Sequence, residues 1–281
     1  MKKVSIITPC FNDGKYLPEA VESTRKIVES GFCEHIIVDD GSDDPETLAI
    51  YKKLESSHAK IIFAGKVGLG KARNIGIADS KCAYYLNLDA DNRIHQDYPR
   101  KCAAILDKNA DVGVVYSNFR FFGKASHSQA VAGFDADQLL KNNYIDTCTV
   151  IRKKVWEDCG GYDESEMLWE DWNFWHSVLA MGWQFYHIDE ILFDYRERFE
   201  GSLKMTAIER GNEVEAYIAG KYGLLYRKKF IELLEKYQDL MRNPDIVSEE
   251  NVRLKNVIEC IEKSISWRIT RPFRKIMSNL K

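Results

Sequence analysis

The chain of 281 residues contains no apolar run approaching the ~20 residues needed to cross a bilayer. Met1-Lys2-Lys3 leads into only a short apolar stretch, broken at Thr8-Pro9, which is too short for the core of a signal peptide. The expectation is therefore a cytosolic protein, free to sit on a membrane surface. The seven cysteines are scattered, odd in number and without a Cys-x-x-Cys pair. They describe neither a disulfide framework nor a zinc site, and a reducing compartment suits them. Charge of one sign is also missing. Lys and Arg number 40 against 43 Asp and Glu, a net of −3, so no global field recruits nucleic acid. There is no internal repeat and no low-complexity tract.

What is present is an ordinary globular composition, 45% apolar and 30% charged. The length suffices for one large domain, or a domain plus an extension. Short apolar runs alternate with amphipathic stretches. Strands are expected at Val4–Ile7, His35–Val38, Lys60–Phe63, Ala83–Leu88 and Val112–Tyr116. Helices are expected over 15–30, 45–54, 70–79 and 97–107. Such alternation predicts an α/β fold with a mostly parallel sheet flanked by helices, and ligands of such sheets bind at the carboxyl ends of the strands. Past residue 120 the alternation fades. Thr147–Ile151, Phe185–His187 and Ile191–Tyr195 read as strands, and Glu170–Met181 as a helix closed by Gly182. From about Leu203 the pattern is helical, over 205–222, 227–241 and 249–266. The organisation expected is a catalytic domain over 1–202 and a helical extension over 203–281.

Three strand ends are polar in a way that suits a ligand. The first is Thr8-Pro9-Cys10-Phe11-Asn12-Asp13, the second Asp39-Asp40-Gly41-Ser42-Asp43-Asp44, and the third Asp89-Ala90-Asp91. Alternate side chains leaving a strand point the same way, so Asp89 and Asp91 can serve one ligand. Two carboxylates so placed suit Mg²⁺ or Mn²⁺ carrying a diphosphate. A solvated turn explains each motif taken alone; their convergence on one sheet edge favours a bound ligand.

Together these residues resemble the family 2 glycosyltransferases of the GT-A fold. The matching stretches follow the family's order. They are Val4–Asn12, Ile37–Asp44, Gly70–Gly76, Leu88–Asp91, Gly160–Glu164 and Trp169–Trp175, within roughly residues 3–200. The resemblance implies an inverting enzyme that moves a sugar from a nucleoside diphosphate to an acceptor hydroxyl. It implies Asp91 as metal ligand, with Asp89 on the ribose or the metal shell, and a Mn²⁺ or Mg²⁺ cofactor. Asp40 would accept a hydrogen bond from the base edge, a uracil if the donor is a UDP-sugar. Thr8, Pro9 and Asn12 would line the nucleoside pocket, although a strand-end hydroxyl capping the backbone explains Thr8 equally well. Arg73 would reach base or phosphate, unless it is a surface arginine on a helix. Asp171 would be the general base that takes the acceptor proton, and Glu170 would bind acceptor or donor sugar. The alternative for this acidic pair is helix N-terminal electrostatics. Trp172 and Trp175 read as core rather than as sugar platforms. Arg196 and Arg198 resemble a basic segment near the diphosphate. His187, the nearest histidine to a place where relatives carry a third metal ligand, reads as core packing.

The C-terminal string Ser264–Met277 has no acid. Arg268, Arg271, Arg274 and Lys275 interleave there with Trp267, Ile269, Phe273, Ile276 and Met277. That pattern suits an anionic membrane face; the alternative is a helix docked on the domain or on a partner, including a second copy or another enzyme. A similar short string ends bacterial surface-polysaccharide enzymes. The expected acceptor is thus a glycan or lipid-linked molecule of cell-surface polysaccharide assembly, such as lipopolysaccharide or capsule, at the inner face of the cytoplasmic membrane. Two rival readings remain. A sugar nucleotidyltransferase needs a Gly-rich basic loop after the first strand, where this chain has Pro9-Cys10-Phe11-Asn12-Asp13. A catalytically dead glycan-binding scaffold has no use for Asp40, Asp91 and Asp171 together.

Overall fold

The structure is a computed structural model that describes residues 2–54, 58–124, 126–165, 169–198, 211–242 and position 256. The chain divides into two compact units, Met1–Ser202 and Leu203–Lys281. The first unit opens with β1 (Val4–Cys10), α1 (Leu17–Glu29), β2 (Cys33–Asp39), α2 (Pro45–Leu54), β3 (Ala59–Phe63), α3 (Leu69–Asp79) and β4 (Tyr84–Asn87). Then come β5 (Arg93–Ile94), α4 (Tyr98–Lys108), β6 (Val112–Gly123), β7 (Ser128–Gln129) and α5 (Ala136–Lys141). It closes with β8 (Val150–Arg152), α6 (Lys153–Cys159), α7 (Glu170–Ala180) and β9 (Gln184–Glu197).

The described strands form one sheet in the order β3-β2-β1-β4-β8-β6-β9-β5, with β7 on β6. Its first half is parallel: β2 and β4 flank β1, and β3 lies beyond β2. β1 is buried at every position, as a central strand covered on both faces must be. β8 then runs antiparallel to both β4 and β6, while β9 runs parallel to β6. The strand β5 pairs with the far end of β9, yet its Ile94 N–H donates to Ser23 Oγ of α1 at 3.2 Å. The sheet therefore curls, and the loop after β4 closes the curl. Helix α1 buries Leu17, Ala20, Val21, Thr24 and Ile27 against the sheet. The main core joins β1, β4 and β8 to Tyr98, Cys102 and Leu106 of α4 and to Leu192 and Phe193 of β9.

Several boundaries differ from those expected of the sequence. Val112–Tyr116 continues to Gly123, because its second half pairs with β9 after leaving the core. Phe185–His187 and Ile191–Tyr195 belong to one strand, whose register against β6 shifts near Asn118. The strand expected at Thr147–Ile151, read from the sequence as continuing into the basic Arg152-Lys153-Lys154, stops at Arg152, and a helix, α6, follows, closed by Gly160 in the left-handed conformation. In the second unit two helices are described, Gly211–Lys221 and Gly223–Arg242. The expected helix 249–266 and the basic string Ser264–Met277 lie outside the described residues, apart from helical position 256. No described helix is long and apolar enough to cross a membrane.

Candidate active site

β1, β2 and β4 end side by side, so their polar loops meet on one edge. Antiparallel pairing of Leu86 with Val150 brings the residues before β8 to the same edge. Helix α7 opens there too. Its preceding residue, Trp169, takes φ +64°, a left-handed conformation that a bulky side chain rarely adopts. Such strain is held by packing around it; the Trp169 ring meets Trp172 edge-on at 5.4 Å. Trp172 and Trp175 are fully buried, and their indole N–H groups donate to the Leu139 and Ile145 carbonyls. They are core, as expected.

Arg73 is the hub. It is 1% exposed, so the reading as a surface arginine on a helix does not hold. One terminal nitrogen donates to Glu170 Oε1, the other to Asp89 Oδ1 at 2.9 Å. A single guanidinium thus joins α3, the loop after β4 and the start of α7. Gly70, on the preceding turn of α3, permits this: a Cβ there would lie 2.2 Å from the Asp163 carbonyl oxygen.

Asp171 follows Glu170 and is half-buried. Its Oδ2 accepts from Asn143 Nδ2 at 3.0 Å and its Oδ1 from the Trp172 N–H at 2.7 Å. Burial pushes its carboxyl above the usual carboxylate range, with Asp89 adding to the rise while Asn143, Arg73 and the Trp172 N–H oppose it. Asp146 belongs to the same group. Its Oδ1 accepts from the Cys148 N–H at 2.8 Å. Burial, with the charges of Asp89 and Asp171, pushes it up to about 8. Neither Asn143 nor Asp146 stood out in the sequence, since nothing near residue 145 marks it as lying beside α7.

Asp91 sits 14% exposed beside Arg198, whose Nε donates to Asp91 Oδ2 at 2.6 Å. The two terminal nitrogens of Arg198 pair with Asp13 Oδ1 and Oδ2 at 2.9 and 2.8 Å. Burial pushes the Asp91 carboxyl up to about 6; Arg198 opposes the rise, and Asp89 and Asp13 add to it. Arg196 donates from Nε to the Asp91 carbonyl at 3.0 Å, and its guanidinium lies over Tyr16 and Phe122.

On the β1–β2 side, Asp40 Oδ1 accepts from the Val67 and Gly68 N–H groups at 2.6 and 2.7 Å. Its Oδ2 has Lys66 Nζ at 3.4 Å. Gly41, at φ +74°, makes room for this loop: a Cβ there would lie 2.5 Å from the Lys66 nitrogen. Asn12, also left-handed, ties the two loops by accepting from the Asp43 and Asp44 N–H groups and donating to Asp43 Oδ1. Phe11 stands 43% exposed with Lys66 Nζ 3.0 Å from its ring centroid, an aromatic face that the sequence reading did not single out. Pro9 is buried in β1. Thr8 is 0% exposed and its hydroxyl lies 2.9 Å from His35 Nε2, in a chain that continues to Thr24. It belongs to the interior between sheet and α1 rather than to a pocket wall. His187 is also set apart: it stacks on Tyr116 and hydrogen-bonds Asn118.

A curled α/β sheet with acidic loops gathered at the ends of β1, β2 and β4 defines an enzyme of the GT-A fold. The family model for Glycosyl transferase family 2 matches residues 5–160, more than half of the chain, and the chain belongs to that family. It is 26% identical over 269 residues to an uncharacterized glycosyltransferase of Rickettsia typhi, covering 90% of this chain and 82% of the relative. It is 36% identical over 99 residues to the poly(ribitol-phosphate) beta-N-acetylglucosaminyltransferase TarP of Staphylococcus aureus, 34% of this chain and 30% of TarP. Staphylococcus aureus TarS 1–349, solved in complex with UDP-GlcNAc, shares the fold with a TM-score of 0.62 at 21% identity. That match covers 77% of this chain and 65% of the TarS chain, so the chain spans just under two thirds of that neighbour's length.

Proposed function

We propose that the protein is an inverting glycosyltransferase that moves a sugar from a UDP-sugar to a hydroxyl of a glycan or lipid-linked acceptor. The observation that carries this reading is the Arg73 bridge, which sets Asp89 of the Asp-x-Asp motif beside Glu170 and hence beside Asp171. Leaving-group chemistry and proton abstraction then meet at one place. The solved complexes of TarS with UDP-GlcNAc and with UDP support a donor of this class.

The chain's own residues divide the work. Asp40 Oδ2 offers an acceptor to the base edge, while its Oδ1 is held by backbone. Phe11, exposed and joined to Asp40 through the Lys66 ammonium that lies over its ring, would stack on the base once that lysine moves aside. Arg196 and Arg198, beside the Asp-x-Asp loop, would meet the diphosphate. Asp171, held by Asn143, takes the acceptor proton as that oxygen attacks the anomeric carbon from the face opposite the diphosphate, and the nucleoside diphosphate leaves. A single displacement of this kind inverts the anomeric configuration and needs no enzyme nucleophile.

The Asp-x-Asp residues fit a hard divalent cation. Arginines engage one oxygen of each carboxylate, Oδ1 of Asp89 and Oδ2 of Asp91. Among the described residues no group of three or more His, Cys, Asp or Glu side chains forms a fuller cage. Two carboxylates suffice for Mg²⁺ or Mn²⁺, which take one or two and complete the shell with phosphate oxygens and water. Held by Asp91 and Asp89, such a cation would neutralise charge on the leaving diphosphate. The setting we infer is the cytoplasmic membrane face, in assembly of a surface polysaccharide, reached through the basic string after Ser264.

A thermal-shift panel of nucleotide sugars, each with and without Mn²⁺, tests the reading. A UDP-sugar at about 100 times its Kd should stabilise the fold by about 2.7 kcal/mol, more with Mn²⁺ present. A panel in which no nucleotide sugar raises Tm would remove the donor assignment.

A further inference from the structure

Arg198 has two roles that its geometry makes hard to hold together. The proposed reaction gives it the diphosphate, yet its Nε–H, a single donor, is spent on Asp91 Oδ2. Its terminal nitrogens form a fork on Asp13, and its guanidinium lies over the Tyr16 ring at 4.4 Å. The guanidinium is thus a built-in cation on the very carboxylate that would hold the metal. It is 13% exposed, so water screens the contact little.

We propose that Arg198 and a divalent cation compete for Asp91, with Asp13 as the second anchor that keeps the arginine within reach. Two cations cannot share one carboxylate without repelling each other. The diphosphate brings the negative charge that removes the conflict. As donor and cation bind, the Nε–H exchanges Asp91 for a phosphate oxygen while the Asp13 fork persists. Cation and nucleotide then bind cooperatively, and Asp13 becomes a positioning residue for the diphosphate contact. The inference rests on the reading of Asp91 as a metal ligand.

Electron paramagnetic resonance of free Mn²⁺ tests it without any turnover. Full-length protein should bind Mn²⁺ weakly alone and more tightly in saturating UDP. Arg198→Gln should bind Mn²⁺ alone about tenfold more tightly than wild type, the worth of one part-buried charge-assisted hydrogen bond. Its UDP affinity should fall, and the coupling between Mn²⁺ and UDP should shrink. Arg198→Lys keeps the charge but not the fork that spans Asp13 and Asp91, so its Mn²⁺ affinity should fall between wild type and Arg198→Gln; it serves as the second variant if the glutamine form melts early. Asp91→Asn separates the two layers of the argument. If it abolishes Mn²⁺ binding while Arg198→Gln leaves that binding unchanged, competition is overturned and the metal reading stands. If Asp91→Asn changes nothing, or wild type binds no Mn²⁺ with or without UDP, the metal reading fails and takes the competition with it.

Discussion

Four carboxyl groups, those of Asp89, Asp146, Glu170 and Asp171, share the field of a single guanidinium, Arg73. Burial first, and then the charge of their neighbours, raises the Asp146 and Asp171 carboxyls, so the four do not all ionise cheaply. Asp171→Asn should lower turnover about 10³-fold, the usual worth of a positioned base, with UDP affinity nearly unchanged. A calorimetric titration beside an initial-rate assay checks both, and full residual turnover would remove Asp171 as base. Asp146 carries a sharper pH signature. Its folded pKa of about 8 lies above the ordinary carboxylate value of 3.8, so the folded state binds more protons than the unfolded chain between those limits. Stability contributed by the neutral carboxyl is therefore present at acid pH and is lost as pH rises towards 8. Asp146→Asn keeps an acceptor for the Cys148 N–H and cannot ionise. It should raise Tm by about 4 °C or more at pH 9, and change it little at pH 4. Equal melting shifts at both pH values would mean that the carboxyl is not held neutral.

At the scale of elements, the site is a junction. Helix α3 supplies Arg73, the loop after β4 supplies Asp89 and Asp91, helix α7 supplies Glu170 and Asp171, and the end of β9 supplies Arg196 and Arg198. Arg73→Met should cost about 3 kcal/mol in urea denaturation, because it leaves two carboxylates without their buried partner. Adding Glu170→Gln should return part of that loss. If the double variant is no more stable than the single one, the bridge is not what holds α7 against α3. The motif order and the strand ends were legible in the sequence, because parallel strands must deliver their carboxyl ends to one edge. The partners were not. Arg198 and Asp13 lie 185 residues apart, and Arg73 and Glu170 97 apart, separations that carry no periodic signal. Arg73 could be read as a surface residue because a helix pattern marks its amphipathic faces only, and α3 has no strong one.

For the whole molecule, the catalytic unit and the helical unit pose separate questions. The acid-free string after Ser264 predicts that removing residues 264–281 will release the protein from vesicles containing anionic lipid. Transfer to a soluble acceptor should persist. Wild-type binding to such vesicles should weaken with salt, since exposed charges are screened beyond about 8 Å at physiological ionic strength. Unchanged partition after the deletion would assign the string to docking on protein instead.

Composition and alternation sufficed for the fold class and for bringing the acidic strand ends to one edge, because those features depend on local spacing and strand direction; the roles proposed for Asp40, Asp91 and Asp171 came from the family resemblance of the motifs that carry them. Tertiary structure alone decided the pairings. It turned the Thr8 hydroxyl inward to His35, buried Arg73 between two acids, brought Asn143 and Asp146 to Asp171, and laid Arg198 across Asp13 and Asp91. The physical reason is that a charge's partner is chosen by distance after folding, in a half-buried place where an unpaired ion is costly, and the order of residues along the chain does not carry that distance.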